Sequence, residues 1–418
     1  MKVPLLDLKQ QLSYLREDIL KAVTRVIDST IYIQGPEVAS LEQEIAAYSG
    51  VENGVGVSSG TDALLVSLMA LGIGPGDQVL TTPYSFFATM GVVLRLGATP
   101  VFVDIDPVSF NIDPVAMAEV LARDSERKIK VILPVHLYGQ CADMVAIMKL
   151  ANQYALPVIE DAAQAIGAEC PMGDEAGGMN GQWKRAGSIG LAGCFSFFPS
   201  KNLGGIGDGG MVVTHDRAYA DKIRILLNHG ASPKYYHGQV GGNFRLDPIQ
   251  ATVLRIKLTY LEQWHRARRE NAGRYDTLFA ESGLVRDNFL VPPRAVYPAK
   301  KQPAPASPGS AGIKPSMAVS NVAMNGDGEN YHIYNQYVLR VSRRDALITW
   351  LRSQDIGCEV YYPLALHQQK CLGASFPVLS FPEAEKAAAE TIALPIYPEL
   401  TADMQAYVVE KISEFYRQ

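Results

Sequence analysis

Three clusters in this chain carry groups able to hold one small cofactor between them. Lys201 stands in Cys194-Phe195-Ser196-Phe197-Phe198-Pro199-Ser200-Lys201-Asn202, just ahead of a glycine-rich run from Gly204 to Gly210. Upstream, a strand-like segment ends in Glu160-Asp161-Ala162-Ala163-Gln164. Further upstream, Ser58-Ser59-Gly60-Thr61-Asp62-Ala63-Leu64 is a small-residue turn that opens an apolar helix. Pyridoxal phosphate needs an amine for its aldehyde, an anion for its ring nitrogen and donors for its phosphate. The three clusters supply one of each.

Each cluster also has a plainer reading. Gly60 and Thr61 suit phosphate, because a helix N-terminus offers unpaired N–H groups and partial positive charge. A simple Ser/Thr N-cap has the same composition. Asp161 suits a protonated pyridine nitrogen, since a carboxylate at a buried strand end is costly unless paired, but it also suits a helix cap. Gln164 is placed to donate to a ring oxygen, or is only a polar helix residue. Ser196, five residues before Lys201, suits the phosphate. A lysine that reacts through its free amine calls for burial, whereas most lysines lie on the surface. Phe195, Phe197, Phe198 and Pro199 read as buried neighbours and weaken that second reading. Phe86, directly after a strand, suits ring stacking or core packing equally.

The elements that must position these groups follow from hydrophobic period. Helical spacing covers residues 12–29, and a second helix runs through Val38, Leu41 and Ile45. Short apolar runs then alternate with helices. Strands are expected at 54–57, 78–81, 99–103, 131–135, 157–160, 193–196 and 210–213, which argues for an α/β fold with a mainly parallel seven-stranded sheet. The three clusters fall at strand ends or helix starts, where open α/β sheets bind ligands. One long helix is expected over 247–275, then a strand at 334–341, a helix at 344–354, a strand at 359–362 and a last helix at 402–416. Two domains are expected, a large one over 1–255 and a smaller C-terminal α+β one over 256–418. Residues 292–328, rich in Pro, Ala, Ser and Gly, read as a surface insertion in the second.

Bulk properties narrow the field. A chain of 418 residues exceeds one ordinary core. With 48% hydrophobic and 19% charged residues it fits a well-packed enzyme. The formal net charge of −5 gives no general attraction to nucleic acid or anionic membrane. No apolar stretch suits a membrane span, and no signal segment opens the chain. Five cysteines without a C-x-x-C pair suggest reduced thiols in the cytoplasm. No metal site is expected.

The chain resembles the DegT/DnrJ/EryC1/StrS family of pyridoxal-phosphate-dependent sugar aminotransferases, of fold type I. The resemblance runs from Val3-Pro4-Leu5-Leu6-Asp7-Leu8 through Gly35-Pro36-Glu37-Val38 to Tyr362-Pro363, and sets aside the 292–328 insertion and a long loop at 171–187. Its most specific pieces are Ser59–Leu64, Glu160–Gln164 and Phe195–Asn202. It implies that Lys201 binds the cofactor aldehyde and that Asp161 faces the ring nitrogen. It implies Gly60, Thr61 and Ser196 on the phosphate, Gln164 near the 3-oxygen and Phe86 or a neighbour against the ring. In Gly241-Gly242-Asn243-Phe244-Arg245, it implies that Asn243 reaches a partner's phosphate across a homodimer interface. Arg245 then lies where a substrate carboxylate or phosphate could pair with it; an ordinary interface salt bridge is the alternative. Glu359–His367 resembles the substrate-side loop, with Tyr361, Tyr362 and His367 as candidate substrate contacts; Ala365 stands where members often carry proline. Tyr235, Tyr236 and His237 form a loop that could touch a nucleotide or serve no such role. The implied reaction moves an amino group from L-glutamate to a nucleotide-linked keto-sugar. Relatives with histidine in place of the lysine dehydrate sugars instead, and Lys201 points to amino transfer. A keto-cyclitol acceptor, a dehydratase and a non-catalytic cofactor-binding regulator are the alternatives.

Overall fold

The computed structural model describes residues 1–173, 182–297, 328–373 and 376–418. Most of the expected insertion, 298–327, lies outside the described residues, as do 174–181 of the 171–187 loop.

Two helices open the chain, α1 (Leu8–Ser29) and α2 (Pro36–Ser49). Asp7 caps α1 by accepting from the backbone N–H of Lys9 and Gln10 at 3.0 and 3.1 Å, and Pro36 occupies the first turn of α2, where its missing N–H is no loss. Strands and helices then alternate: β1 (Asn53–Val57), α3 (Gly60–Ala70), β2 (Gln78–Thr81), α4 (Ala88–Arg95), β3 (Thr99–Phe102), α5 (Pro114–Arg123), β4 (Ile129–Ile132), α6 (Met144–Tyr154) and β5 (Ile159–Asp161). A small antiparallel hairpin follows, β6 (Glu169–Pro171) with β7 (Trp183–Arg185), then β8 (Ala192–Ser196), β9 (Gly210–Thr214) and α7 (Arg217–Leu226).

These strands form two ladders, β1-β9-β8-β5 and β3-β2-β4. The second is parallel throughout. Two isolated parallel bridges, Ile132–Val158 and Val135–Asp161, set β4 beside β5 and join the ladders. The pattern is less uniformly parallel than the alternation suggests, because β9 runs antiparallel to both β1 and β8. No helix separates β8 from β9, and a parallel return needs such a crossover.

The expected helix over 247–275 is two helices, α8 (Pro248–Leu258) and α9 (Leu261–Ser282). The ladder breaks at Tyr260 (φ −103°, ψ −8°), whose ring stacks on Trp264 at 5.9 Å. Beyond α9 come β10 (Leu290–Val291), β11 (Tyr337–Val341), α10 (Arg344–Ser353), α11 (Pro382–Glu390), β12 (Thr391–Leu394) and α12 (Ala402–Arg417), with β10-β11-β12 an antiparallel sheet. Residues 359–362 make no strand. Glu359 forms one bridge to Ala393, and the Tyr361 carbonyl accepts from the Tyr84 hydroxyl at 2.8 Å and from the Tyr138 hydroxyl. Side chains satisfy the backbone there where a neighbouring strand would otherwise do so.

Helix α9 is shared between two cores. Leu261 and Trp264 pack with Leu15, Leu41 and Ile147, while Ala272, Tyr275 and Phe279 pack with Tyr337, Leu347 and Ile412. Val3 belongs to the second core and bridges Ile356. The N-terminal residues are thus drawn to the C-terminal sheet, and the space between the two cores becomes a cavity.

Candidate active site

The cavity has a volume of about 770 Å³, and its lining includes Gly60, Thr61, Phe86, Asp161, Gln164, Ser196, Lys201, Tyr361 and Tyr362. One wall is built by strand ends and a helix start. Helix α3 begins at Gly60 because Ser59 caps it, accepting from the Asp62 N–H at 3.0 Å while Asp62 accepts from both serine hydroxyls, Ser58 at 2.6 Å and Ser59 at 3.0 Å. A Cβ on Gly60 would sit 2.5 Å from Ser196 Cβ. The glycine is therefore what allows the α3 N-terminus and the end of β8 to meet.

Asp161 ends β5 and is 5% exposed. Its Oδ2 accepts from the Thr89 hydroxyl at 2.8 Å, and Oδ1 accepts a long 3.3 Å bond from the Ala163 N–H. Among the described residues it has no hydrogen-bonded cation. Burial pushes its carboxyl above the ordinary aspartate value, outweighing the Thr89 and Ala163 hydrogen bonds and the charge of Lys201. Lys201 is half-buried, and its backbone N–H is held by the Phe198 carbonyl at 2.8 Å. Loss of solvation pushes its ammonium down to about 8, and the Asp161 charge limits the fall. An amine poised near neutrality beside a buried carboxylate marks a reactive site more often than a structural one.

The other wall is aromatic. Tyr362 accepts from Gln164 Nε2 at 3.0 Å, while Gln164 Oε1 accepts from the Tyr138 N–H at 2.7 Å. Phe86 is 56% exposed, its ring 6.1 Å from that of Tyr362. Phe198 is also exposed, at 53%; it faces away from the core that holds Phe195 and Phe197, so the expected burial extends only to those two and the half-buried Pro199.

Three expected residues lie elsewhere. His367 is absent from the cavity lining; its Nε2 lies 3.1 Å from Glu385 Oε1 and its ring packs edge-on to Phe381. Asn243 is exposed, and Arg245 donates to Asn228 Oδ1 at 3.1 Å; neither lines the cavity. Two residues that local reading passed over do matter. Thr89 holds Asp161, and its signal is Ser85, four residues earlier, whose hydroxyl bonds to it at 2.8 Å on the first turn of α4. Arg268 lines the cavity from α9.

The profile of the DegT/DnrJ/EryC1/StrS aminotransferase family matches residues 13–292 and 314–413. The chain belongs to this family. It is 45% identical to a Pleiotropic regulatory protein of Geobacillus stearothermophilus, over 100% of this chain and 99% of that one. It is 40% identical to the UDP-N-acetyl-3-dehydro-alpha-D-glucosamine 3-aminotransferase of Acidithiobacillus ferrooxidans, over 98% and 97% of the two chains. Among solved structures, NtdA of Bacillus subtilis with the cofactor PMP bound superposes with a TM-score of 0.82 at 29% identity, covering 100% of this chain and 86% of that one. As a member of the DegT/DnrJ/EryC1/StrS aminotransferases, the chain uses pyridoxal phosphate. None of its described helices is long and apolar enough to cross a membrane.

Proposed function

We propose that this chain transfers the amino group of L-glutamate to a nucleotide-linked keto-sugar, in the cytoplasm and as a homodimer. The observation that carries the reading is the single cavity that gathers Lys201, Asp161 and the Gly60–Ser196 contact. The 40% identity to a sugar-nucleotide 3-aminotransferase supports the acceptor class.

The residues fit the cofactor. Asp161 is a buried carboxylate without a hydrogen-bonded cation, which a protonated pyridine nitrogen supplies. Gly60, Thr61 and Ser196 surround a helix N-terminus suited to its phosphate. Phe86 offers an exposed ring face, and Gln164, whose Nε2 donates to Tyr362, lies in the cavity wall with a second amide N–H that could serve a ring oxygen. When bound, pyridoxal phosphate holds the donor nitrogen and accepts the electron pair released when the Cα–H bond breaks.

The chain's own groups do the rest. Lys201 would hold the cofactor through its unprotonated amine, which its lowered pKa makes accessible near neutrality. The same amine, once free, would act as the base that takes the proton from the donor Cα and as the acid that gives it back. Asp161 would set its carboxylate against the ring nitrogen, and Thr89 holds that carboxylate by its Oδ2. Tyr361 and Tyr362 border the space left for the sugar. Asn243 and Arg245, outside this cavity, serve the cavity of a second subunit.

Reduction of the reconstituted protein with borohydride, followed by peptide mapping, should place the cofactor on Lys201. Glutamate should then bleach the visible absorbance of unreduced protein and release 2-oxoglutarate. One other reading has a specific observation behind it: the relative named as a Pleiotropic regulatory protein is 45% identical. A regulator that binds the cofactor without turnover would take the lysine label yet leave its colour unchanged by glutamate or any other amino donor.

A further inference from the structure

Arg268 is a charged side chain inside the molecule that forms no salt bridge among the described residues. It is 4% exposed. Its Nη1 donates to three carbonyls, those of Tyr334 at 3.0 Å, Asn335 at 3.4 Å and Ile396 at 2.8 Å. Its Nε is buried with no hydrogen-bond partner, and Nη2 makes no hydrogen bond among the described residues. Glu399 acts on it through charge alone, and burial lowers its pKa to about 10, so it remains a cation at neutral pH. A guanidinium in this state is costly to keep inside a protein. A clamp between α9 and the segments just before β11 and just after β12 explains Nη1 but leaves the rest of the group idle.

Arg268 is also part of the lining of the catalytic cavity. Arg268 and Lys201 are the two cationic side chains of its lining. They are linked through few atoms: Arg268 holds the Asn335 carbonyl, Asn335 Nδ2 donates to Asn202 Oδ1 at 2.8 Å, and Asn202 follows Lys201 in the chain. Leu5, Leu6, Leu394 and Ile396 line the same cavity and limit water, which strengthens any ion pair formed there. With Nη1 saturated and Nε buried, Nη2 is the group left to donate, and a carboxylate oxygen suits it. The Gly60–Ser196 end already provides for a phosphate.

We infer that Arg268 binds a carboxylate of the amino donor, and so sets the preference for an amino acid over a simple amine. This inference rests on the amino-transfer reading above. The residue then has two duties on two nitrogens: Nη1 ties α9 to the segments flanking β11 and β12, and Nη2 faces the donor.

The test uses the holoenzyme. Glutamate-dependent bleaching is followed at rising glutamate, and glutarate, which has the carboxylates but no amine, is titrated by calorimetry. Arg268→Gln should raise the half-saturating glutamate concentration and the glutarate Kd together, by about 10- to 100-fold, with the limiting rate changed less than about threefold. Arg268→Lys should fall between. A folded Arg268→Gln protein with unchanged values for both overturns the inference while amino transfer stands. Wild-type holoenzyme that glutamate fails to bleach sinks the amino-transfer reading and this inference with it. Should Arg268→Gln not fold, Arg268→Lys and a crystal structure of wild-type holoenzyme with glutarate decide. A carboxylate within hydrogen-bond distance of the Arg268 guanidinium supports the assignment, and a glutarate bound only at other residues overturns it.

Discussion

Glu160 and Asp161 are neighbours in β5, both buried, and they face opposite sides of the strand into unlike surroundings. Behind the sheet, Glu160 is saturated. Its oxygens accept from the backbone N–H groups of Gly187, Ile189 and Gly190 at 2.7–2.8 Å and from His136 Nε2 at 2.8 Å. The Ala142 N–H donates to His136 Nδ1 at 3.0 Å, so the ring proton lies on Nε2 and points at Glu160. Burial alone would raise the Glu160 carboxyl, but the His136 bond and the glycine N–H groups hold it below the ordinary range. In front, Asp161 has one hydroxyl and one long N–H bond, and burial wins. Equal burial thus yields a structural anchor on one face and, on the other, an anion still short of partners. The shortfall marks the face where a ligand belongs.

That contrast can be broken by mutation. Lys201→Ala removes the amine in front of the sheet, and turnover should fall to background in a glutamate-to-acceptor assay. Asp161→Asn keeps the shape and removes the charge. It should lower kcat/KM by about 1,000-fold, near 4 kcal/mol of barrier, with no loss of apo-protein stability in a denaturant titration. Glu160→Gln should do the reverse. It turns an amide N–H₂ toward backbone donors and should cost about 3 kcal/mol of stability, with kcat/KM per folded molecule little changed. Equal effects of the two substitutions on either measurement would erase the distinction. Acid separates the pair as well. The stability that Glu160 contributes is present above the ordinary glutamate value and is lost as pH falls through its lowered folded value. For Asp161, with its value raised, the cost of burial is relieved as pH falls.

What was legible from sequence was what local chain geometry dictates. Asp161, Ser196 and the Gly60–Thr61 turn sit at strand ends or a helix start and Lys201 on the turn that follows β8, and short windows reveal such places. Arg268 was not legible, because its partners are 66, 67 and 128 residues away and only packing brings them to it. The break between α8 and α9 escaped for a related reason, since the apolar period continues across Thr259–Tyr260 while aromatic packing against Trp264 interrupts the helix. Residues 359–362 alternate like a strand, yet hydroxyls from Tyr84 and Tyr138, more than two hundred residues upstream, take the place of a partner strand. The expected residues therefore gather in one cavity where each rested on a single element, and the reading was short of residues where two elements had to meet.

Smaller effects sharpen the same contrast. Covalent uptake of pyridoxal phosphate by apo-protein requires the neutral amine of Lys201. Its rate should climb about tenfold per pH unit below pH 8 and level off above, because the amine titrates at about 8. A lysine with the ordinary value of 10.5 would keep accelerating well past that point. The smallest expected change is at Thr89. Thr89→Val preserves shape and removes the one short hydrogen bond to Asp161 Oδ2. A single such bond is worth about 1 kcal/mol, or about fivefold in kcat/KM. The loss should vanish in an Asp161→Asn background, since Thr89 acts only through the carboxylate it holds. A fivefold loss that persists there would mean that Thr89 touches the reaction by another route.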